Sequence, residues 1–156
     1  MIKYIMIYTT KSPKETEKLA GFLLGKIANT NLPAGGKKAI VIALEGELGA
    51  GKTVFAQGFA KALKMKAKIK SPTFTLMKRY LIPNKLKTKS YLYHLDCYRL
   101  RDYKDLAMLG IEEILNNSGN MVLIEWSDRV KKILPKNHIE IHIDHIDENV
   151  RKITVR

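Results

Sequence analysis

Apolar positions along the chain fall into two kinds of pattern. Ala39 to Leu44 and Met121 to Trp126 are short, nearly unbroken apolar runs rich in β-branched and other strand-favouring residues. Runs of that length suit strands buried on both faces of a parallel sheet. Leu19, Phe22, Leu23 and Ile27 instead recur at helical spacing and give one apolar face. Ser12-Pro13-Lys14-Glu15 opens that helix, with Ser12 as cap, Pro13 in the first turn and Glu15 closing a capping box. Ile2 to Tyr8 reads as a first strand, the Asn/Pro/Gly stretch Asn29 to Gly36 as a loop, and Lys52 to Leu63 as a second helix. Thr73 to Ile82 and Tyr91 to Asp96 read as strands joined by a turn at Pro83-Asn84. Asp102 to Asn117 reads as helical pieces broken near Gly110, and Ile139 to Ile146 with Val150 to Val155 as a closing antiparallel pair. Strands interleave with helices, so the expected class is α/β with a mixed, mainly parallel sheet flanked by helices and some antiparallel strands. No repeat and no long linker divides the chain, so one domain over 1–156 is expected.

Composition narrows this further. Hydrophobic residues make up 46% and charged residues 28%, the balance of a folded core rather than of disorder. The apolar runs fall far short of the ~20 residues of a membrane helix, and the N-terminus carries no apolar signal-like core. A cytoplasmic protein that does not engage membranes is expected, and a single cysteine, Cys97, fits a reducing compartment. Lys+Arg number 28 and Asp+Glu 15, giving +13. Ten basic residues (Lys61, Lys64, Lys66, Lys68, Lys70, Lys78, Arg79, Lys85, Lys87 and Lys89) fall between Lys61 and Lys89 with no acidic residue among them. Two readings stand: a patch for an anionic partner, and a plain solvated lysine-rich surface.

Gly46-Glu47-Leu48-Gly49-Ala50-Gly51-Lys52-Thr53 matches G-x-x-x-x-G-K-[ST], between a buried strand and a helix. Chance produces such a match in roughly 0.5% of chains of this length from background frequencies, and the strand–loop–helix setting lowers that figure. A loop of this kind turns backbone N–H groups toward phosphate oxygens at a helix N-terminus. Lys52 is then expected on the β- and γ-phosphates and the Thr53 hydroxyl on Mg²⁺. Guanine-specific folds carry N-K-x-D, whereas Asn84-Lys85-Leu86-Lys87 ends in Lys, so ATP is the expected nucleotide.

Hydrolysis needs a held metal and a positioned water. Met121-Val122-Leu123-Ile124 runs into Glu125, an acid at a strand's carboxyl end, where open α/β sheets bind ligands. Alternation through Tyr91 to Asp96 puts Leu92, His94 and Asp96 on one face. Glu125 is a candidate for Mg²⁺ and Asp96 for orienting water or joining the metal's outer shell, and sequence alone does not separate a metal from a base role. His94 reads as a core histidine or a group behind these acids. Ser71-Pro72-Thr73-Phe74-Thr75 follows the P-loop helix, where segments that sense the γ-phosphate sit, so Ser71 and Thr73 are switch candidates.

These blocks, with His94-Leu95-Asp96-Cys97-Tyr98-Arg99-Leu100, Gly110-Ile111-Glu112-Glu113 and Ile124-Glu125-Trp126, resemble the TsaE family of bacterial P-loop ATPases in order and spacing. The resemblance implies a small ATPase of tRNA threonylcarbamoyladenosine synthesis, weak alone and stimulated by TsaB and TsaD, with tRNA engaged indirectly through that complex. It implies phosphate binding by Glu47 and by Gly49, Ala50, Gly51, Lys52, Thr53 and Val54, and Mg²⁺ on Thr53 and Glu125. It also implies Lys52 and Asp96 as the residues needed for hydrolysis. Glu47 replaces the family's usual Asp, and Lys78-Arg79-Tyr80 replaces an acidic residue before the Tyr, which unsettles any contact made by that acid. The rival reading is a stand-alone P-loop small-molecule kinase, which would need an acceptor pocket and an Arg-rich lid. The basic run holds one Arg among many Lys, which argues against such a lid.

Overall fold

The computed structural model describes residues 5–29, 38–72, 74–83 and 90–156. Its strands are β1 (Met6–Thr10), β2 (Ile40–Glu45), β3 (Met77–Ile82), β4 (Ser90–Asp96), β5 (Asn120–Glu125), β6 (Ile139–His145) and β7 (Arg151–Val155). Its helices are α1 (Pro13–Asn29), α2 (Lys52–Ala62) and α3 (Ile111–Leu115), with 3₁₀ segments at Tyr103–Leu109 and Ser127–Ile133. Among the described residues the strands form one seven-stranded sheet in the order β1-β7-β6-β2-β5-β4-β3. The middle strands β6, β2, β5 and β4 pair in parallel. β7 and β1 on one side and β3 on the other join antiparallel. This is the expected α/β class, parallel in the middle.

The pleat sorts the core onto two faces. Ile42 and Leu44 of β2, Leu92 of β4 and Leu123 of β5 pack against Leu23 of α1 and against Phe55 and Phe59 of α2. Val41, Leu95, Val122 and Ile124 point to the opposite face, under Leu106, Ile111, Ile114 and Val130. Burial on both faces is why the two central strands are almost wholly apolar. α1 and α2 touch closely at Gly58, where a Cβ would run into the backbone of Glu17.

Element ends differ from the sequence reading for physical reasons. β1 begins at Met6 and extends to Thr10, because pairing with β7 runs from Met6↔Val155 to Thr10↔Arg151; residues 1–4 lie outside the described set. β3 begins at Met77, since the amides of Thr75 and Leu76 both turn back to the Pro72 carbonyl and Leu76 takes a left-handed φ of 59°. The stretch after Asp102 is a 3₁₀ segment followed by α3, divided at Gly110, whose φ is 71°. β5 spans Asn120–Glu125, and Trp126 breaks away with φ 58°. The Ser127–Ile133 segment has no counterpart in the apolar periodicity. At the start of α1, Ser12 Oγ accepts the Glu15 amide at 3.2 Å as expected of a cap. Glu15 Oε2 accepts the Lys11 amide at 2.7 Å, one residue earlier than a capping box requires. Asn29 closes α1, and the rest of the expected 29–36 loop and the turn at Asn84 lie outside the described residues.

Candidate functional site

The site is built where β2 gives way to α2. Gly46 has φ 145°, and a Cβ there would collide with the Ile143 carbonyl, so only glycine can leave β2 in this direction. Gly51, with φ 107°, caps α2. The Lys52 side chain folds back over this loop, its Nζ donating to the carbonyls of Gly46 at 2.6 Å and Glu47 at 2.8 Å. Its ammonium also lies 3.9 Å from the centroid of the Trp126 ring, a cation–π contact. Lys52 is only 4% exposed. Burial pushes its pKa below the usual lysine value, opposed by the nearby charges of Glu125, Asp96 and Asp128. Two further carbonyls of the loop are held from β7, where Arg151 Nε donates to Ala50 at 2.9 Å and Nη2 to Gly49 at 3.4 Å.

Two carboxylates face this loop from adjacent strand ends. Parallel register sets Asp96 of β4 beside Glu125 of β5, at the carboxyl edge of the sheet. Glu125 is 2% exposed. The Thr53 hydroxyl lies 3.1 Å from each of its oxygens. Behind it, fully buried His94 brings Nε2 to 2.7 Å from Oε1. His94 Nδ1 has no partner among the described residues. A neutral ring donating from Nε2 leaves only a lone pair unsatisfied there, which costs less than burying an unpaired N–H of an imidazolium. Asp96 accepts the Ser71 hydroxyl at 2.5 Å on Oδ2 and the Tyr98 amide at 3.0 Å on Oδ1.

Lys52, Thr53, Ser71, Asp96 and Glu125 thus line one cleft of about 430 Å³, together with Gly49, Gly51 and Val54. Ala50 is buried beneath it. Glu47 contributes its carbonyl to Lys52, while the residue itself is exposed and lines a neighbouring cleft with Glu45, Asp128 and His142. Thr73 and the 84–87 tetrapeptide lie outside the described residues. His94 combines both sequence readings, since it is buried in the core and bonded to Glu125. Arg151 was not singled out by sequence reasoning: it lies about a hundred residues from the loop it holds, and no local motif links the two.

Hard oxygen donors from a hydroxyl and one or two carboxylates fit Mg²⁺, which takes few protein ligands and fills its shell with water and substrate phosphates. Among the described residues no group of three His, Cys, Asp or Glu side chains could hold a metal alone. Among them, too, no helix is long and apolar enough to cross a membrane.

A model of the family described as "Threonylcarbamoyl adenosine biosynthesis protein TsaE" matches residues 10–153. A protein of Rickettsia typhi named tRNA threonylcarbamoyladenosine biosynthesis protein TsaE is 36% identical over 151 residues, spanning 96% of this chain and 94% of its own. The protein of the same name from Bacillus subtilis is 34% identical, over 94% and 82% of the two chains. That from Haemophilus influenzae is 38% identical over 79% and 74%. The crystal structure of Bacillus subtilis YdiB superposes with a TM-score of 0.69 at 31% identity, covering 99% of this chain and 86% of that one. A match over nearly the whole chain, with relatives sharing a third or more of its residues across most of their length, shows that this chain belongs to the TsaE family of tRNA threonylcarbamoyladenosine biosynthesis.

Proposed function

We propose that this chain is a Mg²⁺-dependent ATPase of tRNA threonylcarbamoyladenosine biosynthesis, acting in the cytoplasm and coupling ATP to a TsaB–TsaD pair. The observation that carries this reading is the meeting of the Thr53 hydroxyl with both oxygens of Glu125, beside Asp96, over a buried P-loop lysine. Thr53 and Glu125 are the residues to hold Mg²⁺, which when bound neutralises phosphate charge. Lys52 supplies a desolvated positive charge, which is worth more against phosphate in a dry cleft than in water. Asp96 is held by Ser71 and the Tyr98 amide, with its carboxylate in the cleft, and is the group to orient water. Since the same Ser71 hydroxyl ends the segment leaving α2, it is the group to relay nucleotide state to partners. The tRNA reaches this chain mainly through the TsaB–TsaD complex.

The test is ATP turnover by the purified chain, alone and with TsaB–TsaD from the same organism. Slow turnover that the pair accelerates, and that Lys52→Ala abolishes together with tight Mg-ATP binding in calorimetry, is expected. Undiminished Mg-ATP binding by Lys52→Ala would overturn the site. Turnover indifferent to the pair, with phosphate passing to a small acceptor instead of water, would favour a kinase.

A further inference from the structure

The stretch 61–83 holds Lys61, Lys64, Lys66, Lys68, Lys70, Lys78 and Arg79 and no Asp or Glu. Two of these have partners. Lys61 stands 3.6 Å from Glu17, and Arg79 lies over the Tyr91 ring at 4.8 Å. Among the described residues Lys64, Lys66, Lys68, Lys70 and Lys78 form no ion pair. Lys64, Lys66, Lys68 and Lys70 are exposed, whereas Ile69 between them is buried. The segment is fastened down. Gln57 of α2 donates to the Ile69 carbonyl at 3.0 Å, and the Tyr80 hydroxyl of β3 is hydrogen-bonded to the Lys70 backbone. Alternation places Lys78 on the same face of β3 as Tyr80, so the five lysines gather along one edge of the sheet on the side α2 covers. The segment ends at Ser71, on Asp96.

We propose that Lys64, Lys66, Lys68, Lys70 and Lys78 form an RNA-binding surface that holds a tRNA backbone directly beside the nucleotide cleft. Concentrated lysines without acidic partners repel one another, and a phosphate chain relieves that repulsion by displacing its own counterions. The surroundings argue against other anionic partners. Protein interfaces deplete lysine and centre on apolar or aromatic anchors, whereas from Lys64 to Lys70 Ile69 is buried and the exposed residue between lysines is Ala67; the exposed aromatic nearest in sequence, Phe74, lies beyond Ser71 with the Arg99 guanidinium 5.6 Å from its ring. A membrane-surface segment needs several bulky apolar residues in line to insert, and from Lys64 to Lys70 none is exposed. Phosphate contacts of this kind position a nucleic acid without reading its sequence. The choice of tRNA rests on the proposed function above; the polyanion surface does not depend on it.

The test is fluorescence anisotropy of the full chain with a labelled, transcribed tRNA across a salt series. Five phosphate contacts predict a slope of log affinity against log salt of about −3 to −5. The Lys66→Ala, Lys68→Ala, Lys70→Ala triple variant is expected to reduce that slope by about 2 to 3 and to weaken binding at low salt at least tenfold. The matching triple Lys→Arg variant is expected to retain binding. The double variant Lys131→Ala, Lys132→Ala is the charge control. Equal loss in the control would mean that net charge alone binds RNA, and unchanged affinity in the triple Ala variant would mean the row does not; either overturns the proposal. So would a triple Ala variant that keeps tRNA but loses phosphatidylserine vesicles or the TsaB–TsaD pair. Mg-ATP calorimetry on the same proteins separates the two readings. A wild-type chain that binds tRNA through these lysines but no Mg-ATP would sink the ATPase reading and leave this surface standing.

Discussion

Lys52 answers two demands that pull against each other. The phosphate contact proposed for it wants its charge, whereas burial disfavours that charge and lowers its pKa. The native chain therefore releases this proton at lower pH than the unfolded chain does. Between the folded pKa and the ordinary lysine value of 10.5 the unfolded state binds more protons, so stability contributed at this position rises with pH across that window. Cys97 and Tyr80 act oppositely. Burial raises both, Cys97 to about 12 with Asp96 adding to the effect, so above pH 9 and pH 10 respectively they lower stability as pH rises. Their effect is common to wild type and Lys52→Met, so the difference between the two isolates Lys52. Urea unfolding of both proteins from pH 7 to pH 10.5 is expected to show wild type gaining on the variant as pH rises. A constant gap would mean that Lys52 is not perturbed. Asp96 offers a complementary separation. Its carboxylate touches Ser71 and the Tyr98 amide and not the P-loop backbone in the bonds it makes, so Asp96→Ala is expected to keep Mg-ATP affinity within a few-fold. Its single-turnover hydrolysis should fall by 10²–10⁴, the usual range for losing a positioned base. Normal turnover would leave Asp96 a purely structural residue.

Between elements, the α1–α2 contact is the one with least room. A Cβ at Gly58 would run into the Cα and carbonyl of Glu17. Gly58→Ala gains up to about 1 kcal/mol in helix propensity, yet must push two helices apart, and overpacking costs about 1–3 kcal/mol. A melting temperature lowered by several degrees is expected, read by calorimetry, with Mg-ATP affinity kept if α2 moves as a rigid piece. A stabilised variant would show that α1 yields freely. Elements were legible in the sequence in proportion to how local their cause was. β2 and β5 announce themselves because burial on both faces leaves their middles wholly apolar. The P-loop is a contiguous motif, and the alternation of β4 already put His94 and Asp96 on one face. The ends of β1 and β3 were not legible, because they are set by register with β7 and by the turn on the Pro72 carbonyl. The Ser127–Ile133 segment, with Val130 buried and left-handed Trp126 before it, has no periodicity to announce it. Arg151 and the His94–Glu125 bond arise only once distant strands lie side by side.

Across the whole molecule, the 46–53 loop is braced by one element next to it in sequence and by one residue about a hundred positions away. α2 follows it directly, whereas Arg151 reaches it from the last strand. The Arg151 guanidinium also donates to the carbonyls of Asp147, Glu148 and Val150, so one planar group ties the β6–β7 turn to the P-loop carbonyls of Gly49 and Ala50. A lysine keeps the charge but presents a single ammonium in place of that fork, so it cannot serve both sides at once. The bond to Ala50 is charge-assisted, and such bonds contribute about 1.5–3 kcal/mol. If that energy holds the loop in its binding form, Arg151→Lys is expected to weaken Mg-ATP binding by about tenfold to a hundredfold. Turnover at saturating nucleotide should stay near wild type, because Asp96, Glu125 and Thr53 are untouched. Calorimetry and saturating-ATP kinetics on one preparation separate the two quantities. Equal affinity in the variant would mean that the loop holds its shape unaided and that Arg151 serves the β6–β7 turn alone. A loss of turnover with affinity intact would place Arg151 in the chemistry rather than in the scaffold that orders the loop.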